Sequence, residues 1–362
     1  MPAAIVFEEQ CELMRYPMAE LRTVEWTHGR VRMIDQTELP KKLVHVIYRN
    51  HKQVAKAIKE MVVRGAPAIG VAAAMGLALA ANSSRSGTKE GLLSELEAAA
   101  KALEESRPTA WNLFWATNRI LQVARRAQGE PKEIASRVTE EALRMAEEDV
   151  EANHRIGEYG ATLLDDGDRV LTHCNTGTLA TVNYGTALAP IRTAIKHGKK
   201  LQVIATETRP RLQGARLTTY ELLSDKIPVT LIVDGAVGYL MKKGLANKVI
   251  VGADRVTTSY VANKIGTYVI ALAAKANKVP FYVAAPSSTF DLRPGQHDFE
   301  IEERNCREVT HIDSRRIVPK GVSVFNPAFD LTPIELVDGF VTERGVVSAG
   351  SIAAGTLYPS RN

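Results

Sequence analysis

Residues 169–207 read RVLTHCNTGTLATVNYGTALAPIRTAIKHGKKLQVIATE, and the fold class follows from how that stretch is parsed. A short run rich in β-branched residues, 169–173 (RVLTH), precedes TLATVNYGTALAPIRTAIKHG, which reads as helix. A second short run, 201–205 (LQVIA), comes next. The same unit recurs toward the C-terminus, with further runs at 229–233 (VTLIV), 248–252 (KVIVG) and 280–284 (PFYVA). RLTTYELLSDK, AVGYLMKKG and ANKIGTYVIALAAKANK lie between the runs and carry helical patterning. Short apolar runs alternating with helical segments predict a parallel sheet covered on both faces.

Upstream of Gly167 the texture differs. HKQVAKAIKEMVV, from His51, spaces Val54, Ala57, Ile58, Met61 and Val62 at three to four residues, the mark of an amphipathic helix. LLSELEAAAKALEES and PKEIASRVTEEALRMAEEDVEANHRIGEYG read the same way, and Pro131 suits a first helical turn. Residues 15–50 are strand-like, with LRTVEW, a turn at His28 and Gly29, and RVRMIDQ, which predicts a small antiparallel ribbon. The expected class is α/β. Residues 1–150 form an N-terminal domain, a small β ribbon then helices. Residues 151–362 form a domain on the parallel sheet, with the boundary inside a helix or linker near 130–165.

The chain has 362 residues, 24% charged and 45% hydrophobic. That is ordinary globular composition, long enough to bury a substantial core. Lys and Arg number 46 against 41 Asp and Glu, a formal charge of +5. So small an excess suits an anionic small molecule and makes a weak case for nucleic acid. Three cysteines, Cys11, Cys174 and Cys306, cannot build a disulfide framework, and no Cys/His cluster has zinc spacing. The opening MPAAIVFEEQ lacks the basic and apolar regions of a signal peptide. Residues 68–81 (AIGVAAAMGLALAA) are too short a run to span a bilayer and predict a buried helix instead. The closing YPSRN carries no retention or peroxisomal address. A cytoplasmic protein without membrane or nucleic-acid partner is expected.

Ligands of an open parallel sheet bind beyond the carboxyl ends of its strands. The residues just after the runs are Cys174, Glu207, Asp234, Asp254 and Ser287. Cys174 stands where a strand is expected to end and a helix to begin, so its thiol would feel the positive end of the helix dipole. Taken alone, a buried small hydrophobe is the commoner state of a free cysteine. Its neighbour His173 is expected to point to the opposite face, which suits a structural role better than a Cys–His pair. Asp254 precedes Arg255. It reads equally as a desolvated general acid or base, as a cap, or as half of an ion pair with Arg255.

Residues 64–70 (RGAPAIG) form a candidate anion cradle. Gly65 allows close approach of the backbone, Pro67 suits the first helical turn, and Arg64 adds a fork of donors. Neither GxxxxGK[ST] nor GxGxxG occurs. Residues 207–216 (ETRPRLQGAR) read as a fixed polar loop. In NKIGT, Asn263 is expected to cap the following helix while Lys264 reaches a ligand.

Nine strings in order resemble the methylthioribose-1-phosphate isomerase family: RTVEW, IDQTELP, MVVRGAPAIG, RPTAWNLFWA, THCNTGTLAT with YGTAL, ETRPRLQGARLT, GADR, ANKIGTY and PFYVAAPSSTFD. They run from residue 22 to 291. That family is related to regulatory subunits of the translation initiation factor that exchanges guanine nucleotide, and to ribose-1,5-bisphosphate isomerases. The resemblance implies conversion of 5-methylthio-α-D-ribose 1-phosphate to 5-methylthio-D-ribulose 1-phosphate in methionine salvage. It implies Cys174 and Asp254 as the catalytic pair, with Arg64, Gly65, Ala66, Arg107, Gln213, Asn263 and Lys264 holding the sugar phosphate. It also implies no metal, no nucleotide cofactor, a helical N-terminal domain, a Rossmann-like C-terminal domain and a homodimer. Three places depart from the family pattern. Thr206 replaces an acid, residues 257–260 (TTSY) replace a longer stretch, and Trp111 replaces a smaller aliphatic residue. They bear on the 5-substituent, which is methylthio, hydrogen or phosphate.

In the implied reaction the carbon-1 phosphate locks the sugar as a ring. The ring oxygen therefore needs a proton as the ring opens, and Asp254 is expected to supply it if burial raises its pKa. Hydrogen then moves from carbon 2 to carbon 1, either as a proton taken by Cys174 or as a direct hydride shift; the sequence leaves both open. The alternatives are the same chemistry on 5-deoxyribose 1-phosphate or ribose 1,5-bisphosphate, or a non-enzymatic regulatory subunit. A bisphosphate needs a second cationic pocket. A pure binder needs no acid–base pair, and a cysteine hydrolase is disfavoured by the expected orientation of His173.

Overall fold

The computed structural model describes residues 17–293 and 301–357. Cys11, MPAAIVFEEQ and YPSRN lie outside the described residues. The expected ribbon is present and gains a third strand. β1 (Val24–Thr27), β2 (Arg30–Ile34) and β3 (His45–Tyr48) form an antiparallel sheet in that order. The two-residue turn between β1 and β2 puts His28 at φ +47° and Gly29 at φ +74°, matching a hairpin loop with both central residues left-handed.

Five helices follow: α1 (His51–Lys59), α2 (Ala66–Ser83), α3 (Lys89–Glu104), α4 (Trp111–Arg126) and α5 (Pro131–Ala161). The side chains of Asn50 and Thr88 accept from the amides of Gln53 and Gly91, capping α1 and α3. α2 packs against α1, α3, α4 and α5. Among the described residues it is the helix long and apolar enough to cross a membrane, but 83% of it is buried inside the protein. Its small side chains let neighbours come close. A Cβ on Gly70 would sit 2.8 Å from the Asn112 carbonyl oxygen. The N-terminal core takes α5 residues up to Ala146, and a second core takes α5 from Ile156 onward. The chain thus passes from one core to the other inside one unbroken helix.

The C-terminal half contains β4 (Arg169–Thr172), α6 (Leu188–Lys196), β5 (Gln202–Thr206), α7 (Thr219–Ser224), β6 (Val229–Ile232), α8 (Val237–Lys242) and β7 (Lys248–Val251). It continues with β8 (Arg255–Val256), β9 (Tyr260–Lys264), α9 (Thr267–Asn277), β10 (Phe281–Ala284), β11 (His311–Ile312), β12 (Arg315–Arg316), β13 (Phe329–Pro333), β14 (Gly339–Thr342) and β15 (Gly345–Val347). All five sequence runs become strands of one seven-stranded sheet, ordered β15-β14-β10-β7-β4-β5-β6. Its pairs are parallel except β14 with β15. Alternate residues feed two cores. Leu171, Ile204, Val249, Val251 and Phe281 pack on one face, and Val170, Val203 and Ile250 on the other. Covered faces of this kind are the reason the runs read as continuous apolar stretches. The class is the α/β arrangement expected.

Two local expectations are overturned. The helix expected directly after Cys174 does not begin until Leu188; before it lies a loop holding one short 3-10 turn, Thr178–Ala180. Tyr184 and Gly185 there have φ +68° and +85°, which breaks the helix. Cys174 therefore does not sit at an α-helix N-terminus. The segment ANK is strand, not helix. β9 pairs antiparallel with β13 and β8 in a separate three-stranded sheet, with Asn263 opposite Asp330. Asn263 consequently does not cap α9; Gly266 occupies the cap position at φ +104°.

Candidate active site

The C-terminal ends of β4, β5 and β7 face the start of α2, and a narrow cavity lies between them. Arg64, Gly65, Ala66, Arg107, Cys174, Gln213, Asp254, Asn263 and Lys264 all line it. So do Met61, Asn175, Arg211, Arg304 and Phe329, which sequence reasoning did not single out. The solvent-accessible interior is about 70 Å³.

Gly65 makes the approach of the two halves possible. Its φ is +99°, and a Cβ there would lie 2.4 Å from Ala180 Cα. With Gly65 as cap and Pro67 in the first turn, α2 starts at the cavity wall and directs free amides toward it. Arg64 turns to the thiol side. Its Nη1 donates to Asn175 Oδ1 at 2.7 Å, and its Nη2 to the Asn175 carbonyl at 2.8 Å, with Cys174 Sγ at 4.0 Å. The Arg107 side chain, 12% exposed, donates to Glu302 at 3.1 Å while its Nε has no partner. Burial lowers its pKa and Glu302 works against that. A buried guanidinium with an unused donor is a site prepared for an anion.

Cys174 is buried at φ +64°. Its amide donates to Thr208 Oγ1 at 2.9 Å, and its carbonyl accepts from Thr218 Oγ1 at 2.7 Å. The loop behind it hangs on Glu221, a residue sequence reasoning missed. This fully buried carboxylate accepts from Asn175 Nδ2 (2.9 Å), the amides of Thr178 (2.7 Å) and Leu179 (3.1 Å), and Arg192 Nη2 (2.8 Å). Arg192 also binds Asp225 at 2.5 Å and the Tyr184 carbonyl at 2.5 Å.

Asp254 is not the partner of Arg255. Arg255 bonds to Asp291 and stacks 4.9 Å over Trp111. Strand β8 follows Asp254, so it caps no helix. Among the described residues its carboxyl makes no hydrogen bond or ion pair. Burial pushes its pKa above the ordinary carboxylate value; Lys264, Arg107 and Arg64 oppose this and Glu302 adds to it. Lys264 donates to the Ala328 carbonyl at 2.7 Å and lies 4.5 Å over Phe329. Burial lowers its pKa, against the pull of Cys174 and Asp254. Asn263 Nδ2 donates to Thr267 Oγ1 at 3.1 Å, and the buried Gln213 Oε1 has no partner.

The other residues after the strands have different positions. Asp234 accepts the amides of Thr208 (2.8 Å) and Arg209 (2.7 Å) and pins that loop. Ser287 lines a neighbouring cleft, and Glu207 does not line the cavity. His173 engages Thr206 and Ile265 through its two ring nitrogens, so it forms no pair with the thiol. Ile69, Ala110, Trp111 and Phe329 supply the apolar wall of a small side pocket whose remaining lining includes Arg107, Thr109, Asn112 and Asp254. Arg64, Arg211 and Arg216 flank another hollow. Of these, Arg211 is held by Glu308 at 2.8 Å and Arg216 by the carbonyls of Thr37 and Leu39 at 3.0 and 2.6 Å. Among the described residues no cluster of three or more His, Cys, Asp or Glu is placed to hold a metal ion.

The sequence pattern of the initiation factor 2 subunit family matches residues 62–349. The chain belongs to the initiation factor 2 subunit family. Within that family it is 52% identical over 328 residues to the methylthioribose-1-phosphate isomerase of Thermosipho africanus, covering 90% of this chain and 94% of that one. It is also 52% identical over 327 residues to the 5-deoxyribose 1-phosphate isomerase of Moorella thermoacetica, covering 90% and 93%. The crystal structure of 5-methylthioribose 1-phosphate isomerase from Pyrococcus horikoshii superposes with a TM-score of 0.85 at 44% identity, covering 94% of this chain and 97% of that one. The resemblance drawn from the nine strings therefore extends over nine-tenths of the chain.

Proposed function

We propose that this protein is a homodimeric cytoplasmic isomerase of methionine salvage. It converts 5-methylthio-α-D-ribose 1-phosphate to 5-methylthio-D-ribulose 1-phosphate. The observation that carries the reading is that the Cys174 thiol and the Asp254 carboxyl line one cavity together with Arg64, Arg107 and Lys264. Asp254, whose pKa burial raises, gives its proton to the ring oxygen as the ring opens. In the proton route Cys174 carries hydrogen from carbon 2 to carbon 1; in the hydride route hydrogen passes directly between the carbons. In both, an acid–base group takes the 2-hydroxyl proton as carbon 2 becomes the ketone. The amides at Gly65 and Ala66, with Arg64 and Arg107, hold the phosphate, while Gln213, Asn263 and Lys264 orient the sugar. Heavy water tests the two transfer routes: substantial solvent deuterium at carbon 1 marks the proton route and argues against the hydride shift.

The apolar wall of Ile69, Ala110, Trp111 and Phe329 supports an uncharged 5-substituent. Arg211 and Arg216, engaged by the protein itself, give less support to a second phosphate. The 5-deoxyribose 1-phosphate isomerase relative supports the 5-deoxy sugar as a second substrate. A competition assay with the methylthio, deoxy and 5-phosphate sugars tests this directly. The methylthio sugar is expected to have the highest kcat/KM, and turnover of none of them ends the proposal. Arg64→Ala is expected to raise KM about tenfold or more, the worth of one charge-assisted contact; an unchanged KM removes Arg64 from the phosphate site.

The dimer reading is supported by exposed apolar side chains on the packed helices α8 and α9, Tyr239 at 63% on the first and Val269 at 64%, with Tyr268 and Leu272, on the second. Exposed patches of this kind mark association surfaces. Sedimentation of the wild type is expected to give a dimer, and Val269→Glu with Tyr239→Glu a monomer. A wild-type monomer refutes it.

A further inference from the structure

His173 is 1% exposed and has no part in the chemistry above, yet its ring completes a continuous run of hydrogen bonds. The Cys174 amide donates to Thr208 Oγ1 at 2.9 Å. Thr208 Oγ1 lies 3.2 Å from Thr206 Oγ1, which lies 2.6 Å from His173 Nδ1. His173 Nε2 lies 2.9 Å from the Ile265 carbonyl oxygen. The directions are read from the Ile265 end, because a carbonyl only accepts. Thr208 accepts from Cys174 and has one hydrogen of its own, which Thr206 Oγ1 or the Thr206 carbonyl, at 3.3 Å, can take. At the far end Nε2 must carry the hydrogen. A neutral imidazole then offers Nδ1 as an acceptor, and the Thr206 hydroxyl fills it.

The run joins two walls of the cavity. At one end, Cys174 and Thr208 hold φ +64° and +61°, a region disfavoured for residues with side chains and most of all for β-branched ones. Such a turn persists only when its surroundings fix it. At the other end, Ile265 directly follows Lys264, and Gly266 leaves room for the imidazole; a Cβ there would lie 3.1 Å from Cε1 and 3.2 Å from Nε2.

We infer that His173, held by Thr206 as the neutral Nε2–H tautomer, is a positioning residue that fixes the Cys174 turn relative to the strand end bearing Lys264. The inference rests on Cys174 being a reacting group. Burial also holds the imidazole below its ordinary pKa, in the same sense as the tautomer.

Thr206→Val keeps the shape and deletes the hydroxyl that both neighbours use. Its kcat is expected to fall about tenfold to 100-fold, as for a displaced reacting group, with KM changed less than about twofold. Thr206→Ser is expected to restore kcat. An unchanged kcat in Thr206→Val, a rise in KM alone, or a Thr206→Ser variant no better than Thr206→Val overturns the inference. A second measurement depends on neither activity nor the folding of a variant. A two-bond ¹H–¹⁵N spectrum of the histidine-labelled wild type at neutral pH is expected to show His173 with its hydrogen on Nε2. An Nδ1–H form or an imidazolium overturns the inference. If the wild type isomerises none of the sugars, the proposed reaction falls while the tautomer still decides this point.

Discussion

Replacing Asp254 with Asn is expected to lower turnover about 100-fold to 10,000-fold, the range for loss of a general acid, while substrate binding stays within a few fold. Asn keeps the shape and removes the transferable proton. The effect has a pH signature. Burial raises the pKa of Asp254, so the acid form is present below that raised value and lost above it. Wild-type kcat/KM should fall on the alkaline side, and the variant should lack that limb. Stability should move in the same sense with pH. A carboxyl with a raised folded-state pKa stabilises the fold at low pH, and that contribution disappears as pH rises through the folded value. Asp254→Asn removes this loss, so thermal unfolding at neutral pH should show no destabilisation. Cys174→Ala is expected to match it in turnover. Near-normal turnover of Cys174→Ser together with Asp254→Asn rejects both assignments.

Replacing Arg192 with Leu is expected to cost about 3–5 kcal/mol, the usual result of leaving a buried charge without its partner. The Arg192 side chain is 3% exposed and Glu221 is fully buried. Without the guanidinium, Glu221 keeps Asn175 and two amides but no cation, and Asp225 loses its ion pair. For a protein with total stability of about 5–15 kcal/mol this is a large fraction. Denaturant unfolding reads it as a lower midpoint, and an unshifted midpoint contradicts the account. Because Glu221 carries the loop behind Cys174, the same variant should also lose activity at temperatures where it remains folded.

The inner strands were legible because they are buried on both faces, which writes them as apolar runs such as KVIVG; VTLIV, the half-exposed edge strand β6, was legible from its β-branched residues alone. The stretch from Gly177 to Ala187 was misread as helix although its Gly, Thr, Val and Asn are weak helix formers; left-handed residues at Tyr184 and Gly185 set its path. β9 misled for a related reason: ANK carries no strand signal, and its pairing with β13 is set by residues far along the chain. The hairpin β14–β15 was there to read in GFVTERGVV, where Glu343 and Arg344 form the turn. Glu221 left no mark beyond an acid between Tyr220 and Leu222 on a buried helix. Strand ends pointed to Cys174 and Asp254, the RGAPAIG turn to Arg64 and Gly65, and NKIGT to Lys264, whereas Arg107 and the gathering of all nine candidates into one site came from family resemblance. Nothing local in the chain says that Arg64, Arg107 and Asp254 meet.

The 31 residues of α5 form a rod about 46 Å long at 1.5 Å per residue, and both halves of the molecule are built onto it. A shared girder leaves no swivel at that crossing. A sugar phosphate is therefore expected to enter through rearrangement of side chains and loops at the rim rather than through the swinging apart of two lobes.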